Sequence, residues 1–151
     1  LIEGKSVHLV RTVCTTDFYL NFKMAPWFLQ KQISGGPITD QAIHLLDCVR
    51  YILNNPRSTR ATAIGIKNMA IDRPELNSEN ALQLMYELDN GVIGVHTNHC
   101  GHERFYVDLE LIGPHLRLKA NATDQTIRGI IDGKKVNENF VFGRHCWSSR
   151  L

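Results

Sequence analysis

The chain has 151 residues, 43% of them apolar, which is one domain's worth of sequence with enough apolar material to bury a core. Its formal charge of +2, from 17 basic and 15 acidic residues with no basic run, excludes the electrostatic footprint expected of a nucleic-acid or membrane-surface partner. No stretch approaches the roughly 20 apolar residues of a membrane span, and the first residues lack a signal-peptide layout.

Four widely separated cysteines (Cys14, Cys48, Cys100, Cys146) without a Cys-x-x-Cys spacing signal neither a disulfide framework nor a zinc site; reduced thiols in a cytoplasmic protein fit this usage. The chain begins without an initiator Met, which suggests a piece of a longer protein.

Residues 6–14 set Val7, Leu9, Arg11 and Val13 against His8, Val10 and Thr12 and are rich in β-branched side chains, the pattern of a strand. Residues 15–34 have no clean period but carry Phe18, Tyr19, Phe22, Trp27 and Phe28. A long irregular connection with five aromatics either lines a site or packs its own rings as a satellite core, and Trp27 and Lys31 are its candidate ligand-lining residues.

Residues 34–53 form the best-marked element. Gly35 and Gly36 allow backbone angles other residues resist, Pro37 suits a first helical position, and Ile38, Ala42, Leu45, Leu46, Val49, Ile52 and Leu53 recur as one apolar stripe. Asp40, His44, Asp47 and Tyr51 fall on the opposite side, a face that meets a ligand or another domain, or else is simply solvated. Asp40 sits in the first turn, where the helix dipole stabilises a carboxylate, and His44 lies one turn further along. An Asp beside a His can fix the ring's tautomer and make it a better base. Pro56, after Asn54 and Asn55, stops the helix.

Beyond the helix the period changes to two. Strands are predicted over 58–69, 81–88, 92–100, 105–112, 115–120, 126–131 and 134–142, with a polar loop over 72–79 containing Pro74. Asn90-Gly91 and Asp132-Gly133 read as hairpins with tight primed turns, which require positive φ at both central positions. The expected fold is α+β: an open, predominantly antiparallel sheet of about six strands with one long helix packed on one face. Leu82, Leu84 and Val95 suggest that the uncovered face is apolar and buries itself in a homo-oligomer.

The run Gly35-Gly36-Pro37-Ile38-Thr39-Asp40-Gln41-Ala42-Ile43-His44-Leu45-Leu46-Asp47, followed by Arg50-Tyr51-Ile52-Leu53, resembles the Gly-Gly-x-x-x-Asp-x-x-x-His-x-x-Asp helix of the glucose-fructose oxidoreductase, inositol dehydrogenase and rhizopine-catabolism (Gfo/Idh/MocA) family. The hairpin over 87–97 and the strand over 109–113 resemble those that follow in that family, so the likeness runs from about Val7 to Ile131. The resemblance implies an NAD(P)-dependent dehydrogenase of two domains, of which residues 1–151 would be the C-terminal, substrate-binding and oligomerisation domain. Neither a Gly-x-Gly-x-x-Gly turn after a strand nor the family's Glu-Lys-Pro motif is present. Both belong to an N-terminal Rossmann domain missing from this sequence, which would hold most of the NAD or NADP.

By the same resemblance, Asp40 and His44 are the catalytic pair: His44 takes a proton from the hydroxyl of a sugar or polyol substrate while Asp40 orients the imidazole or holds a hydroxyl. Asp47 and Tyr51 are then structural or at the domain junction. His96, His99, Cys100 and His102 invite a zinc reading, but His96 and His99 have opposite parity on a strand and no metal is expected. Arg144-His145-Cys146-Trp147 has no interpretable spacing. The alternative function is a non-catalytic ligand-binding or assembly module with the same fold.

Overall fold

The computed structural model describes residues 2–16, 26–67, 76–101 and 104–140. The alternation near the start builds strand β1 (Leu9–Thr16), whose Val10, Thr12, Cys14 and Thr16 are buried. A 3-10 turn (Pro26–Leu29) and a four-residue helix α1 (Lys31–Ser34) lead through Gly35 and Gly36 into helix α2 (Pro37–Ile52). Strands β2 (Ser58–Ile66), β3 (Ala81–Leu88), β4 (Ile93–Cys100), β5 (Tyr106–Gly113), β6 (Leu116–Asn121), β7 (Thr126–Ile131) and β8 (Lys134–Asn139) follow.

All eight strands join one open sheet in the order β2-β3-β4-β1-β5-β6-β7-β8, which corrects the expected total of about six. The sheet is predominantly antiparallel, as expected, with the β1–β4 pair parallel. β1 enters its centre between β4 and β5 and runs parallel to β4, because α2, β2 and β3 together form the long crossover a parallel pair needs. The helix is shorter than a single long element: α2 has 16 residues, and the stretch before it holds the separate α1. Asn54 and Asn55 end it by taking φ of 66° and 58°.

The Asp132-Gly133 hairpin has the expected primed geometry, with φ of 49° and 75°. The other hairpin differs. Gly91 alone has positive φ, Gly91 N donates to Leu88 O at 2.9 Å, and Leu88 N donates to Val92 O at 2.9 Å. This is a turn over residues 88–91 closed by a left-handed glycine, a longer connection whose bulge accommodates one extra residue.

The apolar stripe of α2 faces the sheet as its spacing requires. Ile38, Ala42, Leu45 and Val49 are buried, and Leu46, Ile52 and Leu53 pack at the margin. Val49 joins Val10, Leu88, Leu109, Leu111 and Leu118 in one cluster, while Ile38 joins Leu29, Leu76 and Cys100 in a second. Between them, Thr12 and His96 face each other across β1 and β4. Their side chains are fully buried and joined by a 2.9 Å hydrogen bond between Thr12 Oγ1 and His96 Nδ1.

Leu82 and Leu84 lie on the helix-covered face, paired with Asn98 and His96, so they do not contribute to the open one as expected. The open face instead carries exposed Leu9, Ile64, Ile66, Met85 and Ile93 on the β2-to-β1 side. Residues 76–79 of the expected polar loop, and Asn80 after it, are partly interior, with Leu76, Ser78 and Asn80 buried.

Candidate active site

Gly36 caps α2 with φ 83° and ψ 168°, a backbone conformation confined almost entirely to glycine. Its α-carbon is pressed against the buried side chain of Ser78; an added Cβ would lie 2.4 Å from Ser78 Oγ. Gly36 N donates to Ser34 Oγ at 3.0 Å, and Thr39 Oγ1 donates to Gly35 O at 3.0 Å. One turn in, Gln41 Oε1 accepts from Cys100 Sγ at 3.1 Å and from Cys14 Sγ at 3.8 Å, pinning the helix start to the ends of β1 and β4.

This frame fixes Asp40 in the first turn and His44 one turn later. Asp40 is half-buried and His44 is exposed; Asp47 and Tyr51 continue along the same outward side. The imidazole of His44 makes no hydrogen bond among the described residues, so the expected pairing with Asp40 is one of placement and not a formed bond. Burial pushes the Cys14 thiol up to about 11. It pushes Cys100 higher still, with Cys14 and the carboxylate of Asp40 adding to the effect. Both thiols stay protonated and are not nucleophiles.

Trp27 is 49% exposed on the 3-10 turn. Lys31 is engaged elsewhere than at the pair: its Nζ donates to both oxygens of Glu79, at 2.8 and 2.9 Å, and its backbone N donates to Asn77 Oδ1 at 2.8 Å. The bonds from Lys31 Nζ hold the Glu79 carboxyl below its usual range.

No group of three or more potential metal ligands occurs among the described residues; His96 is buried under α2, and His99 occupies the opposite face. His102, Phe18, Tyr19, Phe22 and residues 144–147 lie outside the described residues. Gln41, Ser78 and the Thr12–His96 bond are the supports that sequence reasoning missed. Gln41 could have been found as the one polar residue on the apolar stripe, between Ile38 and Leu45.

Two surface concavities, one across β6–β8 and one between residues 2–8 and the end of α2, include neither Asp40 nor His44. Residues 5–127 match the model of the GFO/IDH/MocA C-terminal domain, and the chain belongs to that family.

Among solved structures, the chain is similar to an inositol dehydrogenase homolog from Azotobacter vinelandii complexed with NAD+ (14% identity, TM-score 0.74, covering 91% of this chain and 37% of that one). Levoglucosan dehydrogenase in complex with NADH and L-sorbose is similar at 16% identity and TM-score 0.73, covering 91% of this chain and 40% of that one. GenD2 from gentamicin A biosynthesis, in complex with NAD, shares 23% identity over 79% of this chain and 32% of its own, with TM-score 0.66. At these identities the likeness is one of fold, and the chain spans about a third to two-fifths of these proteins' length. A search of the curated proteins found no match.

Proposed function

We propose that this chain is the substrate-binding and catalytic half of an NAD(P)-dependent dehydrogenase acting on a sugar or polyol hydroxyl, with Asp40 and His44 as its catalytic residues. The observation that carries the reading is the presentation of both side chains on one outward side of α2, behind a glycine cap that the packing against Ser78 holds in place. The likeness to levoglucosan dehydrogenase and to an inositol dehydrogenase homolog supports the substrate class.

A dinucleotide fits this chain only at its reacting end. The start of α2 has Ser78 against Gly36 and a carboxylate in its first turn, so it offers no seat for a pyrophosphate. A Rossmann domain elsewhere in the whole protein would hold that part. When bound, nicotinamide supplies the hydride acceptor. His44 accepts the hydroxyl proton at a ring nitrogen as the carbon-bound hydrogen leaves, and Asp40 holds the neighbouring hydroxyl or turns the ring. Trp27 offers an aromatic platform for the apolar face of a sugar, and Lys31, steadied by Glu79, a hydroxyl contact at the rim.

The apolar part of the open sheet face would pack against a second copy of the chain. The free thiols of Cys14, Cys48 and Cys100 fit a reducing, cytoplasmic setting. The test is nicotinamide reduction by the full-length protein, with NAD+ and NADP+ each offered with a panel of cyclic and acyclic polyols and reducing sugars. Turnover of at least one is expected; binding of polyols without any reduction would favour the non-catalytic module.

A further inference from the structure

The open face changes character along the sheet. Cross-strand pairing aligns Arg117, Ile130 and Lys135 in one row across β6, β7 and β8, and Lys119, Arg128 and Asn137 in the next. Lys119 and Arg128 are therefore directly opposed, an arrangement that is unfavourable for like charges. Two buried carboxylates on β5 relieve part of it. Arg117 Nε donates to Glu110 Oε1 at 2.8 Å, and Lys119 Nζ lies 2.7 Å from Asp108 Oδ2. Four cations against two carboxylates on this face of β5–β8 leave two positive charges uncompensated.

Those charges are on Arg128 and Lys135, whose side chains form no ion pair or hydrogen bond among the described residues. Both line a concavity of about 350 Å³ together with Arg117, whose side chain is 73% exposed despite its bond to Glu110, and with the amide of Asn137.

We propose that this groove is a binding site for a small phosphate-bearing dianion, such as a phosphate monoester. A phosphate monoester carries about −1.5 to −2 charges near neutral pH and three acceptor oxygens, which matches two uncompensated cations and the fork-shaped donors of two arginines. A polynucleotide is a poorer match, since three cations in one short groove do not trace a backbone. The groove is also separate from the proposed catalytic pair and from the apolar part of the open face. The nearest strands of the two regions, β1 and β6, are two apart, about 10 Å at about 4.8 Å per strand, so a second copy seated on the apolar side leaves the groove at its rim.

The test is an amide-resonance titration of the isotope-labelled chain with inorganic phosphate, glycerol phosphate, succinate and, as control, sodium chloride at matched ionic strength. Saturable shifts confined to β6–β8, stronger for the two phosphates than for succinate, are expected. Tighter binding of glycerol phosphate than of inorganic phosphate would identify a phosphorylated small molecule as the ligand, and the reverse order free phosphate; either supports the site.

The double variant Arg128→Gln/Lys135→Gln, at two exposed positions, should weaken phosphate at least tenfold, while Arg60→Gln on β2 leaves it unchanged. If the double variant fails to fold, Lys135→Gln alone should weaken binding about threefold. Shifts that match the chloride control, an affinity that the variants do not change, or a short RNA that binds in the groove while phosphate does not, would each overturn the proposal.

Discussion

Replacing Gly36 by alanine tests the frame that aims Asp40 and His44. Two costs add at this position. The backbone at φ 83° and ψ 168° lies where a side chain costs about 1–3 kcal/mol. The new Cβ would also sit 2.4 Å from Ser78 Oγ and 2.6 Å from Ser78 Cβ, and Ser78 is 2% exposed; overpacking of this kind costs about 1–3 kcal/mol. Gly36→Ala should therefore lose about 2–6 kcal/mol in urea unfolding followed by far-ultraviolet circular dichroism.

The two costs are separable, because Gly36→Ala in a Ser78→Gly background removes the collision and keeps the strain. In that background the alanine should cost only the about 1–3 kcal/mol of backbone strain. An alanine penalty that is the same with serine or glycine at position 78 would show that the contact with Ser78 does not hold the helix start, and a penalty below about 0.5 kcal/mol, the range of ordinary surface changes, would refute the strain as well.

Other sites give sharper single readings. Leu29→Ala, at a residue with no exposure, should cost about 2–5 kcal/mol in the same assay, whereas Ile43→Ala, 59% exposed on α2, should stay within about 0.5 kcal/mol. His96 is kept neutral by burial, its value lowered from 6.5 to about 4. The unfolded chain thus binds a proton there that the folded one does not, and stability should fall as pH drops from 6.5 towards 4. His96→Gln, which keeps a partner for Thr12, should flatten that slope; an unchanged slope in urea midpoints would assign it to other groups. Breaking the Lys31–Glu79 pair by Lys31→Ala should change stability by no more than about 1 kcal/mol, because both side chains are largely solvated, yet should raise KM for the polyol in the full-length protein.

Periodicity made the helix legible because α2 buries one side only: Ile38, Ala42, Leu45 and Val49 repeat at helical spacing and all reach the interior. Strand positions were legible for the same reason at period two, and individual segments matched while the total was undercounted. What alternation does not encode is which strand sits beside which. The central placement of β1, parallel to β4, depends on a crossover that no local pattern reveals. The buried polar seam was also hidden, since Thr12 and His96 read as ordinary polar positions until their register brought them together. The double hydrogen bond from Lys31 to Glu79, 48 residues away, is likewise long-range information that composition lacks.

The central claim is that His44 acts as the base while Asp40 supports it. It is tested most directly by comparing turnover and melting temperature of the full-length protein carrying His44→Ala with those of the unmodified enzyme. Loss of a positioned general base should lower kcat by about 10²- to 10⁴-fold, with a melting temperature little changed because the side chain is exposed and forms no hydrogen bond among the described residues. A variant that turns over at the unmodified rate, or one whose lost activity tracks lost folding, would contradict it.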